Sequence, residues 1–129
     1  MNAIENYKRA IENADEHSLK EVFAPRVVLE VPSGERFDHS RDTASHIMSQ
    51  VANVVPGIRN THAADAGSGW HFLGFEGQIE GRALQVVDRV HLNEDDKIEQ
   101  VTVYMRPIPV AQRFSEVVRQ RRQAAAARM

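Results

Sequence analysis

Leu84-Gln85-Val86-Val87-Asp88-Arg89-Val90-His91-Leu92 decides how this chain is read. Side chains alternate across a strand with a period of two. One face therefore carries Leu84, Val86, Asp88, Val90 and Leu92, and the other Gln85, Val87, Arg89 and His91. Asp88 falls in the middle of the apolar face. A carboxylate there must be neutral, paired or facing a cavity, because an isolated buried charge is very costly.

Working outward, Glu80-Gly81 reads as a tight hairpin joining this strand to an earlier one over Trp70 to Ile79. The acidic turn Asn93-Glu94-Asp95-Asp96 leads to a last strand from Lys97 to Arg106. Pro107 and Pro109 end that strand and start a terminal helix carrying Val110, Phe114, Val117 and Val118. Upstream, Ile58 to Ala66 reads as a strand, and Gly67-Ser68-Gly69 as the turn after it.

The N-terminal half is helical in pattern. Ala3, Ile4, Tyr7, Ala10, Ile11 and Ala14 recur at helical spacing. Ser18, with Glu21 three residues on, predicts a capping box and a second short helix ending at Pro25. Val27 to Val31 is a β-branched strand, Pro32-Ser33-Gly34 a turn, and Arg36 to His39 a brief extended piece. Ser40 or Asp42 caps a third helix that runs to about Val55, before Pro56-Gly57. Helices first and a meander of strands after is an α+β pattern, with one sheet face under the helices.

The 129 residues suit one domain with a sizeable core: 1–118 as the domain, and 119–129 as a basic, Ala-rich helix end or tail. Net charge is −2, which gives no global case for nucleic acid or an anionic membrane. The absence of cysteine excludes a disulfide framework, a thiol nucleophile and a Cys-ligated metal, and it fits a cytoplasmic location. The N-terminus lacks the basic-then-apolar pattern of a secretion signal, and no apolar run is long enough to span a bilayer. Arg113, Arg119, Arg121, Arg122 and Arg128 make the C-terminus basic, which suits a solvated helix end. The six histidines, His17, His39, His46, His62, His71 and His91, show no metal-ligand spacing, although His71 and His91 could meet across a hairpin. No metal and no cofactor are expected.

Val86 to Pro107, VVDRVHLNEDDKIEQVTVYMRP, resembles the last hairpin of the nuclear transport factor 2-like superfamily, and most closely its SnoaL-like and ketosteroid-isomerase-like branches. The shared features are an apolar-flanked Asp, an acidic turn, a Lys-Ile pair and a strand ending in Arg-Pro. Tyr7 on the first helix, Phe23-Ala24-Pro25 after the second, and Val27 to Pro32 fit the same pattern, so the resemblance spans roughly Ala3 to Pro107. It implies a cystatin-like α+β barrel: a cone-shaped, mostly antiparallel curved sheet around N-terminal helices, with an internal pocket. It also implies a homodimer through the sheet.

Residue by residue, the resemblance puts Tyr7 and Asp88 at the oxyanion-hole tyrosine and aspartic acid of ketosteroid isomerase, in which an apolar site keeps that carboxylic acid protonated. Val31 stands where that enzyme has its general base. Glu30 is adjacent but points to the opposite face. Steroid-type isomerisation therefore lacks its base.

The candidate catalytic residues are Asp88, Tyr7 and, as an alternative base, His46. Trp70, Phe72, Tyr104 and Val31 are the candidate ligand contacts, although periodicity leaves open whether Trp70 and Phe72, or His71, Leu73 and Phe75, face the pocket. Asp88 also has structural readings, paired with an Arg or His or hydrogen-bonded to Tyr7. Arg106 is a candidate for an acidic substrate or a salt bridge. Two functions stay open. One is an isomerase, cyclase or hydrolase-type acid/base catalyst on a small hydrophobic molecule, without metal. The other is a non-catalytic ligand-binding or dimeric interaction module.

Overall fold

The computed structural model describes residues 2–127, so Arg128 of the basic tail lies outside the described residues. Helix α1 (Ala3–Asn13) turns Ile4, Tyr7, Ala10 and Ile11 inward, with Asn2 capping it through the Glu5 N–H at 2.8 Å. It ends at Ala14, whose φ of 51° closes the last turn in the left-handed conformation.

Helix α2 (Glu16–Val22) starts earlier than the Ser18 capping box predicts. Asp15 is the cap: its carboxylate accepts from the Ser18 N–H at 3.3 Å and from the Ser18 hydroxyl at 2.8 Å. Serine and aspartate compete for the same orphan amides, and the charged acceptor makes the stronger bond. Pro25 does not end this helix either, because β1 (Phe23–Glu30) already begins at its C-cap. The β1 ladder to the last strand skips register between Phe23 and Val28, around the proline that has no N–H to give.

After β2 (Arg36–Ser40), helix α3 (Arg41–Asn53) is capped by Ser40. The meander follows: β3 (Arg59–Gly67), β4 (Trp70–Ile79), β5 (Arg82–Leu92) and β6 (Ile98–Arg106). Glu80 and Gly81, with φ of 52° and 78°, make the two-residue turn between β4 and β5, as the sequence predicts. The Asn93 side chain accepts from the Asp95 and Lys97 N–H groups and holds the acidic turn.

The strands form one curved, unclosed sheet in the order β2-β1-β6-β5-β4-β3. It is antiparallel except where β1 runs parallel to β6. Its inner face buries Leu73, Phe75, Ile79, Leu84, Val86, Val90, Val101 and Val103 against the helices. Burial of each such side chain contributes about 1.5–3 kcal/mol.

Helix α4 (Ile108–Ala127) buries Val110 and Phe114, and its residues from Arg119 onward are exposed. Among the described residues, no helix is long and apolar enough to cross a membrane.

Candidate functional site

Asp88 occupies the inner face of β5 between Leu73 of β4 and Val103 of β6. It is 3% exposed, and its neighbours on that face, Val86 and Val90, are buried. The residues between them, Val87 and Arg89, emerge on the outer face, so strand alternation holds through the polar position.

One helical stripe brings Tyr7 to it. The Tyr7 hydroxyl donates to Asp88 Oδ2 at 2.7 Å, and its ring lies against Phe23 with centroids 6.2 Å apart. Among the described residues, Tyr7 is the carboxyl's single hydrogen-bond partner, and Oδ1 has none.

Removal from water dominates the electrostatics. Burial raises the Asp88 pKa from 3.8 to about 7, against a smaller downward pull from the Tyr7 hydrogen bond. Tyr7 is raised well above its ordinary value, by burial first and then by the Asp88 charge, so its hydroxyl remains a donor.

Asp88 also lines a small, partly open cavity of about 30 Å³ between the inner sheet face and helices α1, α3 and α4. Among the described residues it is the one polar group in that lining; the rest are apolar, including Ile11, Met48, Phe75, Met105 and Phe114. Tyr7 lies behind the carboxyl and does not line the cavity. The arrangement can offer one carboxylic O–H, or accept one proton, in largely apolar surroundings.

No family model matches the sequence, and no curated protein matches it. Solved structures do match along nearly the whole chain. An uncharacterised bacterial protein with a cystatin-like fold from Silicibacter pomeroyi superposes with a TM-score of 0.90 at 21% identity, over 97% of this chain and 88% of that one. A steroid delta-isomerase from Pseudomonas aeruginosa gives a TM-score of 0.87 at 20% identity, over 97% and 92%. A nuclear transport factor 2-like protein of unknown function from Burkholderia xenovorans gives 0.68 at 17% identity, over 85% and 88%.

The chain has the cystatin-like fold of nuclear transport factor 2-like proteins.

Within that fold, several expected site residues lie elsewhere. His46 is on the outward side of α3, 62% exposed, with Nδ1 2.9 Å from the Glu16 carboxylate. Its hydrogen bond is the main reason the Glu16 carboxyl falls below its usual value. His46 does not line the cavity and supplies no base there.

Trp70, Phe72 and Tyr104 point out from the other side of the sheet. Phe72 pairs with Arg89, and Tyr104 with Val87, both on the outer face of β5. Phe72 is 40% exposed and Tyr104 49%, while the Arg89 guanidinium covers the Trp70 ring at 4.9 Å. None of the three lines the cavity.

Val31 sits in the turn after β1, where its N–H donates to the Glu35 carbonyl and its carbonyl accepts from the Gly34 N–H; it too is outside the lining. Glu30 is on the outer face, as alternation predicts. It accepts from Thr102 at 2.5 Å and from Gln100 at 3.0 Å, and the Thr102 hydrogen bond chiefly holds its pKa down.

Arg106 is exposed and cross-paired with Gln85 on the outer face, away from Asp88. His71 and His91 do not meet. His71 pairs with Val90 on the inner side, while His91 is on the outer side, bridging Glu99 at 2.6 Å and the Ser68 carbonyl at 3.0 Å.

The cavity is instead built by residues of helix stripes and strand parity: Met48 on α3, Phe75 on β4, Met105 on β6 and Phe114 on α4. A signal for Phe75 was available. A two-residue turn at Glu80-Gly81 pairs Leu73 with Asp88 and Phe75 with Val86, which sets Trp70 and Phe72 on the opposite face.

Proposed function

We propose that the protein binds a small hydrophobic molecule and fixes it by one hydrogen bond from the neutral carboxyl of Asp88. The observation that carries this reading is the buried Asp88 carboxyl, held through Oδ2 by Tyr7, among cavity residues that are otherwise apolar. A neutral carboxyl removed from water has an O–H to place, and a ligand acceptor such as a ketone oxygen can take it. Apolar walls with one placed polar group are the usual make-up of small-molecule sites.

Cyclohexanone and methylcyclohexane test it, having similar shape and differing in the acceptor oxygen. The wild-type protein should bind the ketone more tightly below pH 7 and lose that preference above it, because a carboxylate cannot donate. Asp88→Asn should keep a pH-independent preference through its amide, and Asp88→Leu should have none. Equal binding of both probes by the wild-type protein would remove the role assigned to Asp88.

An acid/base reading, as an isomerase or cyclase, is favoured by one observation, the Asp88 pKa of about 7. A group that titrates near the working pH can both take and return a proton. With His46 and Val31 away from the cavity, Asp88 would act alone. Exchange of the cyclohexanone α-hydrogens in D2O, faster with wild-type protein than with Asp88→Leu, supports catalysis; exchange at the buffer rate leaves binding alone.

The outer sheet face supports assembly as a homodimer. Phe72, Val87 and Tyr104 expose 40%, 39% and 49% of their surfaces on three adjacent strands. Neighbouring exposed apolar groups of this kind mark interaction surfaces, and a second copy meets the same patch about a two-fold axis.

A further inference from the structure

We propose that Phe114 sets the size of the molecule admitted to the Asp88 cavity, and that α4 withdraws to let it in. This rests on reading the cavity as a binding site. At about 30 Å³ the space is of the order of one water. Small-molecule sites commonly measure roughly 300–1,000 Å³. Part of the wall therefore occupies the ligand's room.

The wall residues differ in how firmly they are held. Phe75, Val86, Val103 and Met105 belong to central strands with ladder partners on both sides. Ile11 and Met48 lie on capped helices packed within the body of the fold. Phe114 is the contribution of α4, the last element of the chain.

Two features mark α4 as the part that can leave. Only Val110 and Phe114, both near its start, are buried. Beyond them Val117 and Val118 are only partly buried, Arg121 reaches the Asn53 side chain at 3.1 Å, and the helix runs along a surface groove of about 440 Å³ lined by Val54, Pro56, Ile79 and Ala124, so its second half is held more loosely than its first. A surface ion pair latches it: Arg113 reaches both Glu80 oxygens, at 2.7 and 2.9 Å, across to the β4–β5 turn.

Withdrawing α4 removes one phenyl ring from beside Asp88 without breaking a strand ladder. Met48 and Met105 are unbranched and can repack around a guest. The incoming molecule is therefore about one six-membered ring in size, with its acceptor directed at Asp88. The wild-type protein spends part of its binding free energy on opening α4, and the observed affinity falls by the fraction of molecules that are open.

The test titrates cyclohexanone into the wild-type protein, Phe114→Ala, Phe114→Leu and Phe114→Trp, with hydrogen exchange followed on the α4 amides. Phe114→Ala should bind at least about ten-fold more tightly than wild type. Phe114→Leu, which keeps an apolar anchor should the alanine variant fail to fold, should fall between, and Phe114→Trp should not bind. In the wild-type protein the ketone should lower protection of α4 amides. Equal affinity in wild type and Phe114→Leu, with unchanged α4 protection, overturns the gating role; if Asp88→Leu still weakens binding, the Asp88 site stands without it. No binding by any Phe114 variant, or binding indifferent to Asp88→Leu, overturns the Asp88 reading itself.

Discussion

Tyr7 on the first helix and Asp88 on the fifth strand, 81 residues apart in sequence, share a buried 2.7 Å hydrogen bond at the back of an apolar cavity. The bond uses Oδ2 and leaves Oδ1 without a hydrogen-bond partner among the described residues. Because it stabilises the charged form, it also keeps the Asp88 pKa from rising beyond about 7.

Tyr7→Phe removes a donor and leaves a buried carboxyl with no partner. The Asp88 pKa should rise above its value of about 7, since the hydrogen bond that lowers it is gone. Stability should fall by about 1–3 kcal/mol, the cost of a buried polar group left unpaired. Urea unfolding checks the second point and a carboxyl titration the first.

Stability should depend on pH through Asp88. Its pKa is 3.8 as an ordinary side chain and about 7 in the fold, so between those values the native state holds a proton that the unfolded chain has released. The stabilisation is full below 3.8, declines as pH rises, and is exhausted above about 7. The slope approaches about 1.4 kcal/mol per pH unit. Wild type minus Asp88→Asn, measured by denaturant unfolding at each pH, should show this decline; parallel curves would remove it.

His46→Ala should change little. The side chain is 62% exposed and its partner Glu16 is on the surface, so the stability change should stay within about 0.5 kcal/mol. Cyclohexanone affinity should match wild type. A loss of affinity would return His46 to the site.

Tyr104→Glu puts a charge into the exposed apolar patch it forms with Val87 and Phe72. If the sheet face joins two copies, two carboxylates enter one interface and the dimer should dissociate by sedimentation. The cavity lies on the other side of the sheet, and its ligand affinity should not change. A monomeric wild-type protein at all concentrations would contradict the assembly.

Much of this was legible in the sequence where local rules act alone. The two-residue turn at Glu80-Gly81, the extent of β4, and the inward face of Asp88 followed from turn chemistry and alternation. The start of α2 did not, because Asp15 and Ser18 both qualify as caps and only the folded backbone selects one.

Of the cavity lining, only part was legible. Asp88 stood out as a polar residue on an apolar face, and Tyr7 lay on a helix stripe facing it. Trp70, Phe72 and Tyr104 misled because aromatic residues suit an interface as well as a pocket. The register from the hairpin turn, carried across to Leu73 and Asp88, would have sorted them. Phe114 and Met48 could not be found this way, because helix packing depends on tertiary contacts that no strand register reports.

The most direct test of the central claim is a pH titration of the Asp88 carboxyl by carbon-13 NMR, with Asp88→Asn used to assign the signal. A midpoint near 7, moving upward when cyclohexanone binds, is the expected result: a neutral acid donating to a ligand in an apolar space. A midpoint near 4, unmoved by the ketone, would mean an ordinary ionised carboxylate and would contradict the account.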